Sequence, residues 1–455
     1  MTTGAAYQYR PLRYPDSVRI LHLKPSLSGD DPIHCTLTTY RLSDPGLKYE
    51  PVSYTWGDAS DVVDIYIGGN RAFLSVTRHC FNALTSLRLR DTPRHLWIDA
   101  ICINQEDKVE RSAQVQIMDQ VYARGFRTLI YLGEATQGPG TDLLFDDLEK
   151  ADREGFDRPV PGPEIVEQLE RLIERPWFHR VWVVQEAFLN SERVVICGRR
   201  QASWDALESC LFGYLRSGNR VTQAPLPAVV YAAIEGWWSD IGCVWLNLFN
   251  SLNETRPLLA SNPRDRIFAL KALLGRDQDR LNPLIDYRRS VPDLLADVAR
   301  QILDAVGLII LDAIQEPHKQ PMASWIPDWT RVEHPIFNWT LGIRMYSDEV
   351  EEVPLKSPER EYHYKFSILP GTSPSFAVLK VHGWRLGPTL VMGKPFSFKD
   401  LDDVRRQLWP LLEHLHNLHQ AGKPWQPLDE AFDPTGHFPP PIQRGMLPYR
   451  CLIPT

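Results

Sequence analysis

LWIDAICINQ (96–105), RTLIYLG (127–133) and RVWVVQE (180–186) follow one another at intervals that suit an α/β sheet. Within the first lies HLWIDAICI (95–103), a continuous apolar run of the kind buried on both faces of a parallel sheet. A helix is predicted over 107–124, because Val109, Ala113, Ile117, Val121 and Tyr122 recur at three- to four-residue steps. Glu106, Asp107 and Glu110 sit at the end of it where the helix dipole favours anions. TLIYL (128–132) is a second buried strand, ended by Gly133, and RVVICG (193–198) a further one. Between them the spacing predicts a short helix over 141–150, then helices over 165–173 and 177–189 split by Arg175-Pro176.

Upstream, Pro51–Thr55 reads as a short strand before Trp56-Gly57-Asp58, so these side chains project beyond its carboxyl end, where α/β proteins bind ligands. Residues 64–76 read as a hairpin around Gly68-Gly69-Asn70, and Thr77 can cap a helix to about Leu89. Strand and helix therefore alternate, as in a parallel doubly wound domain with helices on both faces. Its span is expected to be 47–200, with residues 1–46 as an N-terminal extension packing on it.

The chain has 455 residues, which implies more than one domain, and 43% hydrophobic residues to fill them. Its 50 basic and 57 acidic residues are interspersed, giving a net charge of −7 and no footprint for a polyanion; nucleic acid is not an expected partner. No apolar run reaches the length of a membrane span and the N-terminus lacks an apolar signal core, so a cytoplasmic protein is expected. Seven cysteines, widely spaced and without a CxxC pair, argue against structural zinc and against a disulfide framework.

Beyond Trp204 the pattern turns helical to about 320, with 206–215, 228–252, 265–274 and 291–305 as candidates. The remainder, 321–455, reads as a mixed α+β segment: PMASWIPDW (321–329), a hairpin over 379–393, a helix over 401–419 and a proline-rich tail.

YEPVSYTWGD (49–58), LWIDAICINQEDKVERSAQVQIMDQVY (96–122) and RPWFHRVWVVQEA (175–187) together resemble the fungal heterokaryon-incompatibility (HET) domain. NPRDRIFAL (262–270), IDYRRSV (285–291) and SWIPDW (324–329) look like the segments that follow that core in the family. The resemblance implies self/non-self recognition and programmed cell death after fusion of unlike fungal cells. More distantly, the core resembles the TIR domain, a flavodoxin-like signalling fold, some members of which cleave NAD at the nicotinamide–ribose bond. The plant-type TIR string Ser-x-Trp-Cys-Leu-x-Glu has a counterpart in Trp182–Glu186, with the same Trp-to-Glu spacing of four after the third main strand. VSYTWGD (52–58) stands where those domains carry Ser-Phe-Arg-Gly-Glu-Asp, but Thr55-Trp56 replaces the Phe-Arg pair, which removes the clue that would separate NAD from NADP.

That spacing puts Trp182 and Glu186 on one helix face. Glycosidic cleavage of NAD passes through an oxocarbenium-like centre that a carboxylate can stabilise. Glu186 is accordingly the candidate catalytic residue, with Trp56, Asp58, Asp99, Asn104 and Trp182 around the cleft and NAD as substrate; no cofactor or metal is expected. Each has a structural alternative. Glu186 can be a buried, paired carboxylate holding its helix to the sheet, and Trp182 can be core. Asp99, inside an apolar run, needs a partner such as Arg111 or Arg180, or backbone N–H groups to accept from. Asn104 and Gln105 can simply form a turn. Cys102 reads as an inert small hydrophobe rather than a nucleophile, and Arg264-Asp265-Arg266 as a helix-start pairing rather than a phosphate site. The competing function is a non-enzymatic death-signalling module that acts by self-association or partner binding through the surface around 104–111.

Overall fold

The computed structural model describes residues 5–28, 31–69, 72–135, 141–155, 161–217, 244–272, 285–314, 322–331, 365–369 and 378–382. Two compact units divide the chain: residues 1–334 with 371–376, and 335–370 with 377–455. In the first, ten strands form one sheet: β1 (Ala5–Ala6), β2 (Ser17–Leu23), β3 (His34–Arg41), β4 (Glu50–Tyr54), β5 (Val62–Ile67), β6 (Ala72–Thr77), β7 (Arg94–Trp97), β8 (Thr128–Tyr131), β9 (Arg193–Cys197) and β10 (Arg200–Ser203). Their spatial order is β1-β6-β5-β3-β2-β7-β4-β8-β9-β10. The helices are α1 (Arg78–Leu87), α2 (Asp99–Cys102), α3 (Lys108–Arg124), α4 (Asp142–Glu154), α5 (Pro163–Ile173), α6 (Val183–Phe188), α7 (Trp204–Ser217), α8 (Val244–Glu254), α9 (Asp265–Phe268) and α10 (Val291–Val306). In the second unit, β11 (Lys365–Leu369) and β12 (Val378–His382) pair antiparallel. The expected hairpin 379–393 lies mostly outside the described residues, and the helix 401–419 and the proline-rich tail lie wholly outside them.

The α/β character stands, but the sheet is mixed rather than parallel throughout. Only β7, β4, β8 and β9 run parallel to their neighbours in succession. Taken in chain order, these four lie in space as second, first, third, fourth. The chain thus leaves β4 toward one side and returns past it to β8, which makes the carboxyl ends of β4 and β8 the switch point where open α/β sheets bind ligands. Both faces of this part are buried. Leu129, Tyr131 and Ile196 join one core with Cys80 and Leu84 of α1 and Val121 and Tyr122 of α3. Ile130, Leu132, Val195 and Cys197 join another with Leu148 of α4, Leu169 of α5 and Leu211 of α7. That alternation is the period of two that a strand imposes.

Several expected elements take a different form. Residues 1–46 supply β1–β3 of the sheet itself. β2 pairs antiparallel with β7, placing Leu21 opposite Leu96 and closing an edge the four parallel strands would leave open. The run 95–103 is not one strand: β7 stops at Trp97 and Asp99 starts a single helical turn, its Oδ1 accepting from the N–H of Ala100 at 2.7 Å. Other expectations hold. Thr77 caps α1 through the N–H of Cys80, and Asp107 caps α3 by accepting from Val109 and Glu110 at 2.9 and 3.1 Å. Gly68 and Gly69 take positive φ in the β5–β6 turn, while Asn70 lies outside the described residues. The helix expected over 228–252 is described only as α8, since 218–243 lie outside. Among the described residues, no helix is long and apolar enough to cross a membrane.

The closure by β2 is anchored by a charge. Arg19 is 2% exposed and grips Glu110 of α3 with two bonds of 2.6 and 2.9 Å, while also donating to the carbonyls of Cys102 and Arg10. Glu110 in turn accepts from the N–H of Asn104 at 2.7 Å, fixing the loop after α2. Breaking such a pair leaves a buried charge uncompensated, whereas removing both members restores an apolar contact. Glu110→Leu is therefore expected to lower stability by roughly 3 kcal/mol, and adding Arg19→Met to recover most of the loss; chemical denaturation of both variants checks this.

Candidate functional site

β4 carries, next to its last residue, the hydroxyl of Ser53, which is fully buried. Its Oγ accepts from the indole N–H of Trp177 at 2.7 Å and donates to Glu186 Oε2 at 2.5 Å. Arg180 closes the arrangement. Its Nη1 donates to the carbonyl of Tyr54 at 2.5 Å and to Glu186 Oε2 at 3.0 Å, and its Nη2 to Glu186 Oε1 at 3.2 Å. The carboxyl end of β4, the 3₁₀ turn Pro176–His179 and α6 are thereby tied together by one guanidinium.

Arg180 can do this because the helix expected over 177–189 is broken there. Its backbone is extended, at φ −90° and ψ 136°, and bridges in parallel to Leu259. The N–H of Val181 donates to Leu259 O at 3.0 Å, and that of Leu259 to His179 O. The following turn still keeps Trp182 and Glu186 one turn apart, with Glu186 N–H donating to Trp182 O at 3.1 Å.

Glu186 is 4% exposed, and both its oxygens are engaged. This is the buried, paired arrangement weighed against a catalytic one. Asp99 lies nearer the surface, at the start of α2. Its Oδ2 accepts from the indole N–H of Trp56 at 2.9 Å, and Trp56 is 40% exposed. Burial, reinforced by the like charge of Glu186, raises the Asp99 carboxyl to about 6, although Arg180, the Trp56 N–H and the Ala100 N–H pull it down. Burial acts to lower the Arg180 pKa, but the carboxylates of Glu186 and Asp99 outweigh it and hold the guanidinium above its ordinary value. Of the two arginines expected as partners for Asp99, Arg180 supplies the charge.

Arg111 turns elsewhere. It stacks on the ring of Tyr287 at 4.0 Å, and the Tyr287 hydroxyl donates to Asp265 Oδ1 at 2.7 Å. Asp265 is 8% exposed; burial raises its pKa, opposed by hydrogen bonds from Tyr287 and Trp182 and by the charges of Arg111 and Arg180. Trp182, partly buried against the main core, thus bridges the Glu186 helix to α9. Asp58 faces another way: exposed, it accepts from the N–H and hydroxyl of Ser60, both at 2.8 Å, which depress its pKa. Asn104 enters through its backbone, donating to Glu110, while Gln105 donates to Asp99 O at 2.9 Å. Of the candidate residues, then, Glu186, Asp99, Trp56 and Trp182 form one connected group, while Asp58 and Asn104 make their polar contacts apart from it.

Cys102 is fully buried and its thiol is pushed up to about 12, so it is no nucleophile at neutral pH. Among the described residues, no group of three His, Cys, Asp or Glu side chains could hold a metal. Ser53, Tyr287 and Asp265 were not expected in the site. Asp265 and Tyr287 fall in the strings 262–270 and 285–291 that the sequence marked without a role in the site, while Ser53 is a small polar residue within the strand Pro51–Thr55 read as apolar.

Residues 49–186 match the family model described as heterokaryon incompatibility protein (HET), a stretch that contains the strings 49–58 and 96–122 whole and 175–187 but for its last residue. Over 416 residues the chain is 24% identical to heterokaryon incompatibility protein 6, OR allele, of Neurospora crassa, an alignment covering 72% of this chain. The chain spans about 60% of that relative's length. No solved structure matches significantly.

The raised Asp99 pKa ties stability to pH. A carboxyl that ionises near 3.8 when unfolded and near 6 when folded makes the native state bind more protons between those values, so this group's contribution falls as pH rises from about 4 to about 6. Asp99→Asn is expected to be more stable than the wild type at pH 7 by on the order of 2 kcal/mol. The gain should vanish near pH 4. Unfolding midpoints of both proteins across this range test it.

Proposed function

We propose that this chain, whose residues 49–186 match the HET family model, is an incompatibility-type protein of the cytoplasm that acts in self/non-self recognition and programmed cell death, and that its core does so by cleaving NAD at the nicotinamide–ribose bond. One observation carries the enzymatic part. A group of two carboxylates and a guanidinium, Asp99, Glu186 and Arg180, gathers at the carboxyl end of β4, beside the switch point of the sheet and under an exposed indole. The order of the four parallel strands supports likening the core to the flavodoxin-like TIR fold. Similarity to heterokaryon incompatibility protein 6 supports the biological role.

In this mechanism the ribose lies over the strand ends. As the bond to nicotinamide breaks, its electron pair leaves with the base and positive charge develops on the ribose, which the carboxylate pair stabilises until water adds and gives up a proton to solvent. Arg180 holds the two carboxylates close together despite their repulsion, so their field is in place before the charge forms.

A second reading, a module that signals by assembly or partner binding without catalysis, is favoured by a different observation: Glu186 has both oxygens occupied and almost no exposure. Nicotinamide release from NAD by the purified full chain separates the two. The enzymatic reading predicts release by the wild type and a loss of about a hundredfold or more in Glu186→Gln. The assembly reading predicts no release by either, with cell killing kept by Glu186→Gln and lost on charge reversal along 107–111.

A further inference from the structure

Trp56 is the exposed member of the strand-end group, with half-buried Asp99 beside it. Trp56 lies two residues beyond β4, and the residue is 40% exposed while its N–H is spent on Asp99. An indole held this way presents a face, not a donor, to whatever binds. Behind it the charges do not cancel: Asp99, Glu186 and Asp265 stand against Arg180 and Arg111, which leaves one negative charge when Asp99 is ionised. Arg180 is spent on Glu186 and Tyr54 O, while Arg111 stacks on Tyr287 with its Nε lacking a hydrogen-bond partner. A negatively charged aromatic face is suited to a cation with a flat ring, through cation–π attraction and the nearby carboxylate.

We infer that the Trp56–Asp99 pair is a binding subsite for a positively charged aromatic ring, the N-alkylated pyridinium class. This rests on the proposed reading of the site as one that takes NAD, and it deepens it: the oxidised nicotinamide ring is the part that stacks on Trp56. Cleavage would convert that cation into neutral nicotinamide, so the product loses the attraction that held the substrate.

Binding of N-methylnicotinamide and of nicotinamide, the same ring with and without the charge, tests this on the full chain by calorimetry, independently of turnover. The cation is expected to bind about tenfold more tightly than the neutral ring. Asp99→Asn should bring that ratio toward one, and Trp56→Ala should weaken both ligands. Asp61→Asn, an exposed carboxylate of the same loop region paired with Arg78, should leave the ratio unchanged. Equal binding of the two rings by the wild type, or no binding of either, overturns the subsite whether or not the variants fold. A charge preference that survives Asp99→Asn also overturns it. If the cation binds as expected but NAD releases no nicotinamide, the subsite stands and the hydrolase reading falls. If NAD releases nicotinamide but the two rings bind alike, the hydrolase reading stands and the subsite falls.

Discussion

The group at the carboxyl end of β4 depends on the Arg180 guanidinium. It is mostly buried, with 16% of its side chain exposed, and it satisfies at once a strand-terminal carbonyl and the Glu186 carboxylate. Remove it and two carboxylates would stand near each other in a poorly hydrated setting, supported by a serine hydroxyl, an indole N–H and the Ala100 N–H but by no charge. The same cation is available only because the chain abandons helix at Arg180 to pair with Leu259, so the segment downstream of the core takes part in building the site. The strings 262–270 and 285–291 work in the same direction, delivering Asp265 and Tyr287 to Trp182 and Arg111.

Local signals made much of the fold legible. α3 could be placed from Asp107 and the acidic first turn, because a cap and a dipole act within one turn; its apolar period pointed only partly to the buried face, since Val109 and Ala113 are exposed and Val115 and Met118 are buried instead. The β5–β6 hairpin was marked by Gly68 and Gly69, which take the left-handed conformation that the turn requires. What escaped is what distant residues decide. The end of β7 at Trp97 is set in part locally, by the Asp99 carboxylate accepting from the Ala100 N–H, and in part by the Trp56 N–H from more than forty positions upstream, which the run 95–103 does not contain. The break at Arg180 depends on Leu259, and the place of β2 in the sheet on the edge that β7 offers. Of the site, spacing brought out Trp182 and Glu186, and the apolar context brought out Asp99. It could not say which carboxylate faces solvent.

That distinction shapes the chemistry. Glu186 is the better held and the less reachable; Asp99 is the less satisfied and the more exposed, and it carries the raised pKa. A buried carboxylate fully paired with arginine contributes field rather than contact, whereas a partly exposed one beside an aromatic face can meet a ligand. Division of labour between two carboxylates by environment alone is a known way for one fold to place opposite demands on the same residue type.

A double-mutant cycle on Arg180→Met and Glu186→Leu, read as unfolding free energy, tests this dependence most directly. If the guanidinium is the keystone of the strand-end group, each single variant strands a buried charge and the double variant costs much less than their sum, giving a coupling of about 2 kcal/mol or more. Effects that add to within about 0.5 kcal/mol would mean that the pair does not hold the site together, and the dependence on Arg180 would fall with it.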